Sequence, residues 1–163
     1  MSKQKGVVVF ITGVSGVGKS TLVPVLKEVF PTFAVHDFDE VGVPLDVDVA
    51  WRLSTTDHWL REAKTNLAKG ISTIICGLSS PNEVLNSDEF NKFLNLRFGI
   101  IKISEDQLRK RLKKRGYNSE LIQDNLNWVK VLEKETQEIK NHIILNGERK
   151  LIEIADEIKN WLK

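Results

Sequence analysis

Residues 7–21 read VVVFITGVSGVGKST: an apolar run that passes without a linker into a stretch punctuated by Gly13, Gly16 and Gly18. Val7 to Thr12 is continuous and rich in β-branched residues, the pattern of a strand buried on both faces of a parallel sheet. From Lys19 onward Leu22, Val25, Leu26 and Val29 recur at helical spacing, so the order is strand, glycine-rich loop, helix. Pro24 conflicts with that helix, because beyond the first turn it removes a backbone donor and predicts a bend. The loop satisfies G-x-x-x-x-G-K-S/T through Gly13, Gly18, Lys19 and Ser20, in the strand-to-helix setting the pattern requires. Its glycines let successive N–H groups turn inward onto the oxygens of a polyphosphate, and the helix start adds partial positive charge. Gly13, Val14, Ser15, Gly16, Val17, Gly18, Lys19, Ser20 and Thr21 are the expected phosphate contacts. Lys19 is placed over the β- and γ-phosphates, and the Ser20 hydroxyl on Mg²⁺.

Outward from this loop the pattern repeats. Further strands are expected near Phe33 to His36, at 72–76 (STIIC), 99–103 (GIIKI) and 143–145 (IIL). Helices are expected at about Asp57 to Lys69 with Gly70 as a stop, in a short segment near 88–95, after the cap Ser104, over Ser119 to Asn141, and from Leu151 on. Five strands alternating with helices predict an α/β protein with three α/β/α layers, a five-stranded parallel sheet and ligands at the carboxyl ends of the strands.

The chain has 163 residues, 28% of them charged and 41% hydrophobic, the balance of one globular domain over 1–163 and not of a disordered chain. A net charge of +2 exerts no general pull toward nucleic acid or membrane. No stretch approaches 18 apolar residues, and the N-terminus lacks the pattern of a secretory signal. The single cysteine, Cys76, excludes an intramolecular disulfide and points to a reducing, cytoplasmic setting; at the end of an apolar strand it reads as a small buried residue. His36, His58 and His142 are scattered and have no metal-ligand spacing.

After the second strand comes His36-Asp37-Phe38-Asp39-Glu40. In an extended segment Asp37 and Asp39 face the same side, beside the cradle. One carboxylate can hold magnesium and the other can take the proton of an attacking hydroxyl; a merely solvated acidic turn is the plainer alternative. Residues 37–48 carry five acids and no base, which disfavours a strongly anionic acceptor unless an arginine offsets them, and Arg52 is the nearest. Trp51 and Trp59 suit either a ring-shaped acceptor or the core. Beyond strand three, Gly77, Ser79, Ser80 and Asn82 are polar or small groups without an assigned use. Six bases fall in the seven positions from Arg109 to Arg115, with Arg111 and Arg115 four apart on one face.

The cradle resembles that of the P-loop NTPase superfamily. The guanine-reading Asn/Thr-Lys-x-Asp string of its GTPases is absent, since Asn91-Lys92 is followed by Phe93-Leu94. The apolar strand ending in Asp-Glu that is usual in motor and AAA-type ATPases is broken here by His36 and Asp37. The D-x-D instead resembles the second strand of small-molecule kinases such as the shikimate and gluconate kinases, which implies Asp37 as the magnesium-side acid and Asp39 as the acceptor-orienting base. The string L-x-x-R-L-x-x-R at 108–115 resembles the lid helix of nucleotide and small-molecule kinases. That resemblance implies Arg111 on the adenine face and Arg115 at the transferring phosphate, with a short lid of about eight residues to follow. Asn146, after strand five, falls by the same resemblance where adenine-contacting loops lie. The loop CGLSS lacks the aspartate that monophosphate kinases show at this point. The expectation is a P-loop kinase fold using ATP and Mg²⁺, with catalytic residues Lys19, Asp39, Arg111 and Arg115, acting on a small acceptor. Two alternatives stay open: a nucleotide switch or ATPase without a small acceptor, and a nucleic-acid 5′-kinase docking through Lys110, Lys113 and Lys114.

Overall fold

The computed structural model describes residues 6–90 and 95–163. Five strands, β1 (Val8–Thr12), β2 (Ala34–Asp37), β3 (Thr73–Cys76), β4 (Leu96–Lys102) and β5 (His142–Asn146), form one sheet in the order β2-β3-β1-β4-β5, parallel at each paired edge. Six helices accompany them: α1 (Lys19–Val29), α2 (Val49–Ala68), α3 (Pro81–Leu85), α4 (Glu105–Lys114), α5 (Ser119–Gln137) and α6 (Leu151–Leu162). This is the three-layer arrangement expected from the alternation. Central β1 is buried at every residue, and its two faces meet different helices. Val9 and Ile11 pack with Leu22 and Leu26 of α1 and Ile154 and Ile158 of α6. Val8 and Phe10 pack with Leu60 and Ala63 of α2, Phe10 stacking on Phe98 at 5.4 Å. A strand clad on both sides has no solvent face to mark with polar residues, which is why it reads as an unbroken apolar run.

Several elements differ from expectation for identifiable reasons. Helix α1 continues through Pro24, whose ring lies on the exposed face, so the missing donor falls where water serves the freed carbonyl. Helix α2 begins eight residues earlier than the apolar stripe suggests, because Asp48 caps it by accepting from the Trp51 N–H at 2.8 Å. Its first turns leave Val49 and Leu53 exposed and so lack an apolar stripe. The short helix expected near 88–95 is not formed over 88–90, and residues 91–94, including Phe93 and Leu94, lie outside the described residues. Helix α3 forms earlier, with Ser80 as cap, Pro81 in the first turn and Glu83 as the residue whose N–H donates to the Ser80 hydroxyl. The S-P-x-E string was a legible capping signal. The connection from α4 to α5 is only Arg115 to Asn118, shorter than the expected lid.

Register decides where the chemistry meets. Ile11 of β1 and Asp37 of β2 both pair with Cys76 of the intervening β3. Adjacent strands lie about 4.8 Å apart, so the loop after β1 and the acidic turn after β2 leave the sheet at one level, about 10 Å apart, with Gly77 between them.

Candidate active site

The loop from Gly13 to Gly18 enters α1 through Gly18, whose φ of +100° is the left-handed conformation that glycine adopts without strain. Val14 and Val17 turn their side chains into the core, leaving their main chain to the loop. The Lys19 ammonium donates to the Val14 carbonyl at 2.7 Å. Loss of water around that ammonium lowers its pKa to about 8, against the opposing pull of Asp39, Cys76 and Asp37.

Strand β2 ends at Asp37, and residues 38–41 form a single 3₁₀ turn. Asp37 accepts the Asp39 N–H at 2.9 Å, while Glu40 accepts the Asp37 N–H at 2.9 Å and meets the His36 ring at 3.0 Å. Partial burial pushes the Glu40 carboxyl up, but the Asp37 N–H and His36 outweigh it and hold Glu40 below its ordinary range. Between the two aspartates Phe38 points into the core, where Trp59 donates its indole N–H to the Phe38 carbonyl at 3.0 Å. A Cβ on Gly77 would stand 2.0 Å from the Phe38 Cβ, so only glycine lets β3 pass behind this turn. Asp39 is raised above its ordinary pKa by burial first and by the neighbouring Asp37 second, with Lys19 opposing.

These pieces share a cavity of about 170 Å³. Ser15, Gly16, Gly18, Lys19, Ser20 and Thr21 form one wall; Asp37, Asp39 and Gly77 form another; Arg115 closes it from the end of α4. Gly13, Val14, Val17, Arg111 and Asn146 are not on this wall. Arg111 instead donates to the Gly16 carbonyl at 3.0 Å, while Leu108 and Leu112 of the same helix pack against Gly16. Asn146 is exposed and accepts the Glu148 N–H at 3.0 Å. Among the described residues no group of three His, Cys, Asp or Glu could by itself hold a metal. The hydroxyls of Ser15, Ser20 and Thr21 and the carboxylates of Asp37 and Asp39 on the cavity wall are nevertheless hard oxygen donors. That set suits Mg²⁺, which takes one or two carboxylates and completes its shell with water and substrate phosphate.

The remaining sequence candidates fall elsewhere. Arg52 does not face the acidic turn; it grips Glu83 with both its Nε and Nη2, at 2.6 to 3.0 Å, and lies 5.3 Å over the Trp128 ring. Trp59 is core, and Trp51 meets Phe38 edge-on at 5.9 Å. Cys76 is fully enclosed and burial pushes its thiol up to about 12, which makes it inert. Ser79 donates its N–H to the Thr12 hydroxyl, while the Ser80 hydroxyl and the Asn82 N–H both reach Glu135 of α5. In the basic run Arg109 pairs with Glu105, Arg111 holds Gly16 and Arg115 lines the cavity, so Lys110, Lys113 and Lys114 are the exposed remainder. Among the described residues no helix is long and apolar enough to cross a membrane.

A family model described as AAA domain matches residues 9–141. The match spans the strand that His36 and Asp37 break, so that break does not set the chain apart from the AAA-domain family. No curated protein sequence matches the chain. Solved structures do. A sugar kinase from Janibacter sp. HTCC2649 superposes with a TM-score of 0.72 at 18% identity, covering 96% of this chain and 94% of that one. A gluconokinase from Sinorhizobium meliloti 1021 gives 0.70 at 19% identity, with 99% and 93% covered. A shikimate kinase from Acinetobacter baumannii, in complex with shikimate, gives 0.71 at 13% identity, with 98% and 94% covered. The fold is therefore the P-loop kinase fold.

Proposed function

The chain belongs to the AAA-domain family, and from that premise we propose that it is an ATP- and Mg²⁺-dependent kinase that transfers a phosphoryl group to the hydroxyl of a small molecule. One observation carries the reading: Lys19, Ser20, Asp37, Asp39 and Arg115 line a single cavity at the carboxyl ends of β1, β2 and β3.

In this reading the loop N–H groups and Lys19 hold the triphosphate, and Arg115 spreads the charge that moves during transfer. Ser20 and Asp37 would hold Mg²⁺, which neutralises phosphate charge when bound. Asp39 orients the acceptor hydroxyl and takes its proton. Its pKa, raised by burial and by Asp37, makes it a stronger base than an ordinary aspartate. Arg111, which braces the loop from outside, and Asn146 are assigned to the adenine end. The same reading takes 1–163 as one kinase-like domain working in the cytoplasm.

The test is Asp39→Asn, assayed with a panel of nucleosides, nucleotides, sugars, hydroxy acids and aminoglycosides beside a no-acceptor control. Calorimetric affinity for MgATP is expected to hold within about threefold while transfer falls by about 10²–10⁴. ATP consumption indifferent to every acceptor would sink the kinase assignment and favour an ATPase.

A further inference from the structure

Beside the phosphate cavity lies a second and larger one, a cleft of about 550 Å³ between α2, α3 and α5, within the range that small-molecule sites occupy. Gly77 lines the first and Ser80 the second, and three residues of chain span at most about 11 Å, so the loop after β3 borders both. Its lining divides by chemistry. Val49, Leu53, Trp128 and Val131 form an apolar side, and three of these are exposed large hydrophobics, at 55%, 42% and 43% for Val49, Leu53 and Val131. Asp57, Glu83, Asp88 and Glu135 form the other, and among the described residues no lysine, arginine or histidine lines the cleft. The nearby cation, Arg52, is spent on Glu83 in a pair whose side chains are 13% and 17% exposed. The pair is neutral, so the charge of the lining comes from Asp57, Asp88 and Glu135.

We infer that the acceptor is an amine-bearing, partly apolar alcohol seated in this cleft; the inference rests on the kinase reading above. The ammonium meets the acidic side, where Asp88 is exposed and Glu135 is partly so. The hydrocarbon body covers Leu53, Trp128 and Val131, apolar surface that is otherwise left to water. An anionic acceptor would meet like charge from Asp57, Asp88 and Glu135, which form no ion pair among the described residues. In transfer the acceptor's hydroxyl oxygen bonds to the γ-phosphorus as the bond to the β,γ-bridging oxygen breaks. The proton passes to Asp39, ADP leaves, and the ammonium is unchanged.

The test uses three alcohols on one skeleton that differ in charge: phenylalaninol (cation), 3-phenyl-1,2-propanediol (neutral) and 3-phenyllactate (anion). Binding is followed at the Trp128 indole N–H by NMR, and transfer by ADP release with MgATP. Phenylalaninol is expected to bind and to be phosphorylated at least tenfold better than phenyllactate. In Glu135→Gln/Asp88→Asn that preference is expected to collapse below threefold, the Gln retaining the acceptor oxygen that Ser80 and Asn82 use. Transfer to phenyllactate as good as or better than to phenylalaninol, or binding of phenylalaninol that leaves Trp128 undisturbed, overturns the acceptor class and leaves the kinase reading standing. Absence of transfer to all three and to the wider alcohol panel, with MgATP bound, overturns both.

Discussion

The phosphate cavity and the α2–α3–α5 cleft are separated by one short loop yet are built in opposite ways. The cavity draws six wall residues from one continuous stretch, Ser15 to Thr21, and it is tied together by main-chain geometry: a left-handed Gly18, a lysine on the carbonyl of Val14, an aspartate that caps its own turn. The cleft draws its walls from positions as far apart as 49 and 135, joined through side chains, Arg52 to Glu83 and Ser80 to Glu135. The contrast has a physical origin. Every triphosphate presents the same oxygens, which backbone N–H groups in one conformation satisfy, so the solution is local and repeats as a motif. Acceptors differ in shape and charge, and the surface that fits one is free to come from anywhere in the fold.

The largest test of the contrast is Lys19→Met. It is expected to abolish the rise in melting temperature with MgATP and to lower transfer by about 10³ or more, while the cleft still binds its ligand. Without nucleotide the same change relieves a buried ammonium. The unfolded chain keeps the lysine proton up to pH 10.5 and the folded chain loses it near 8. Between those values the unfolded state binds more protons, so wild-type stability gains on the variant as pH rises across that window. The gain is up to about 3 kcal/mol, read from urea titrations at pH 7 and pH 10. An unchanged difference would mean that the ammonium is well hydrated.

Gly77→Ala strikes the seam between the two regions. Its Cβ would enter the space of Phe38, and an overpacking cost of about 1–3 kcal/mol is expected. Because the turn bearing Asp37 and Asp39 must shift, transfer should fall more than nucleotide affinity; equal losses would show that the turn is not rigidly backed. The smallest effect is expected from Glu83→Gln, which leaves the Arg52 charge half-paired and should cost about 2 kcal/mol in urea unfolding. The double change with Arg52→Met should recover most of it, since removing both partners of a largely buried pair leaves no charge stranded. Nucleotide affinity should be untouched in either case, which keeps the two regions separable.

The alternation of five strands with helices, the parallel sheet and the glycine-rich loop between β1 and α1 were legible in the residues, because fully buried strands and tight glycine turns impose their composition locally. The pairing of Asp37 with Asp39 was legible too, although its cause is a capped turn with Phe38 driven inward and not an extended strand. The S-P-x-E string that starts α3 is a signal of the same local kind, since Ser80 caps the N–H of Glu83 three residues on. Arg52 could not be placed from sequence at all: its partner stands 31 positions away, and nothing near it in the chain marks Glu83 as the acid it takes. Short-range chemistry thus determined by itself where the glycine-rich loop and its cavity form, since bond geometry and buried-strand composition act between neighbours. Only the packing of α2, α3 and α5 against one another decided the charge and shape of the adjoining cleft, since that depends on which distant side chains neutralise each other.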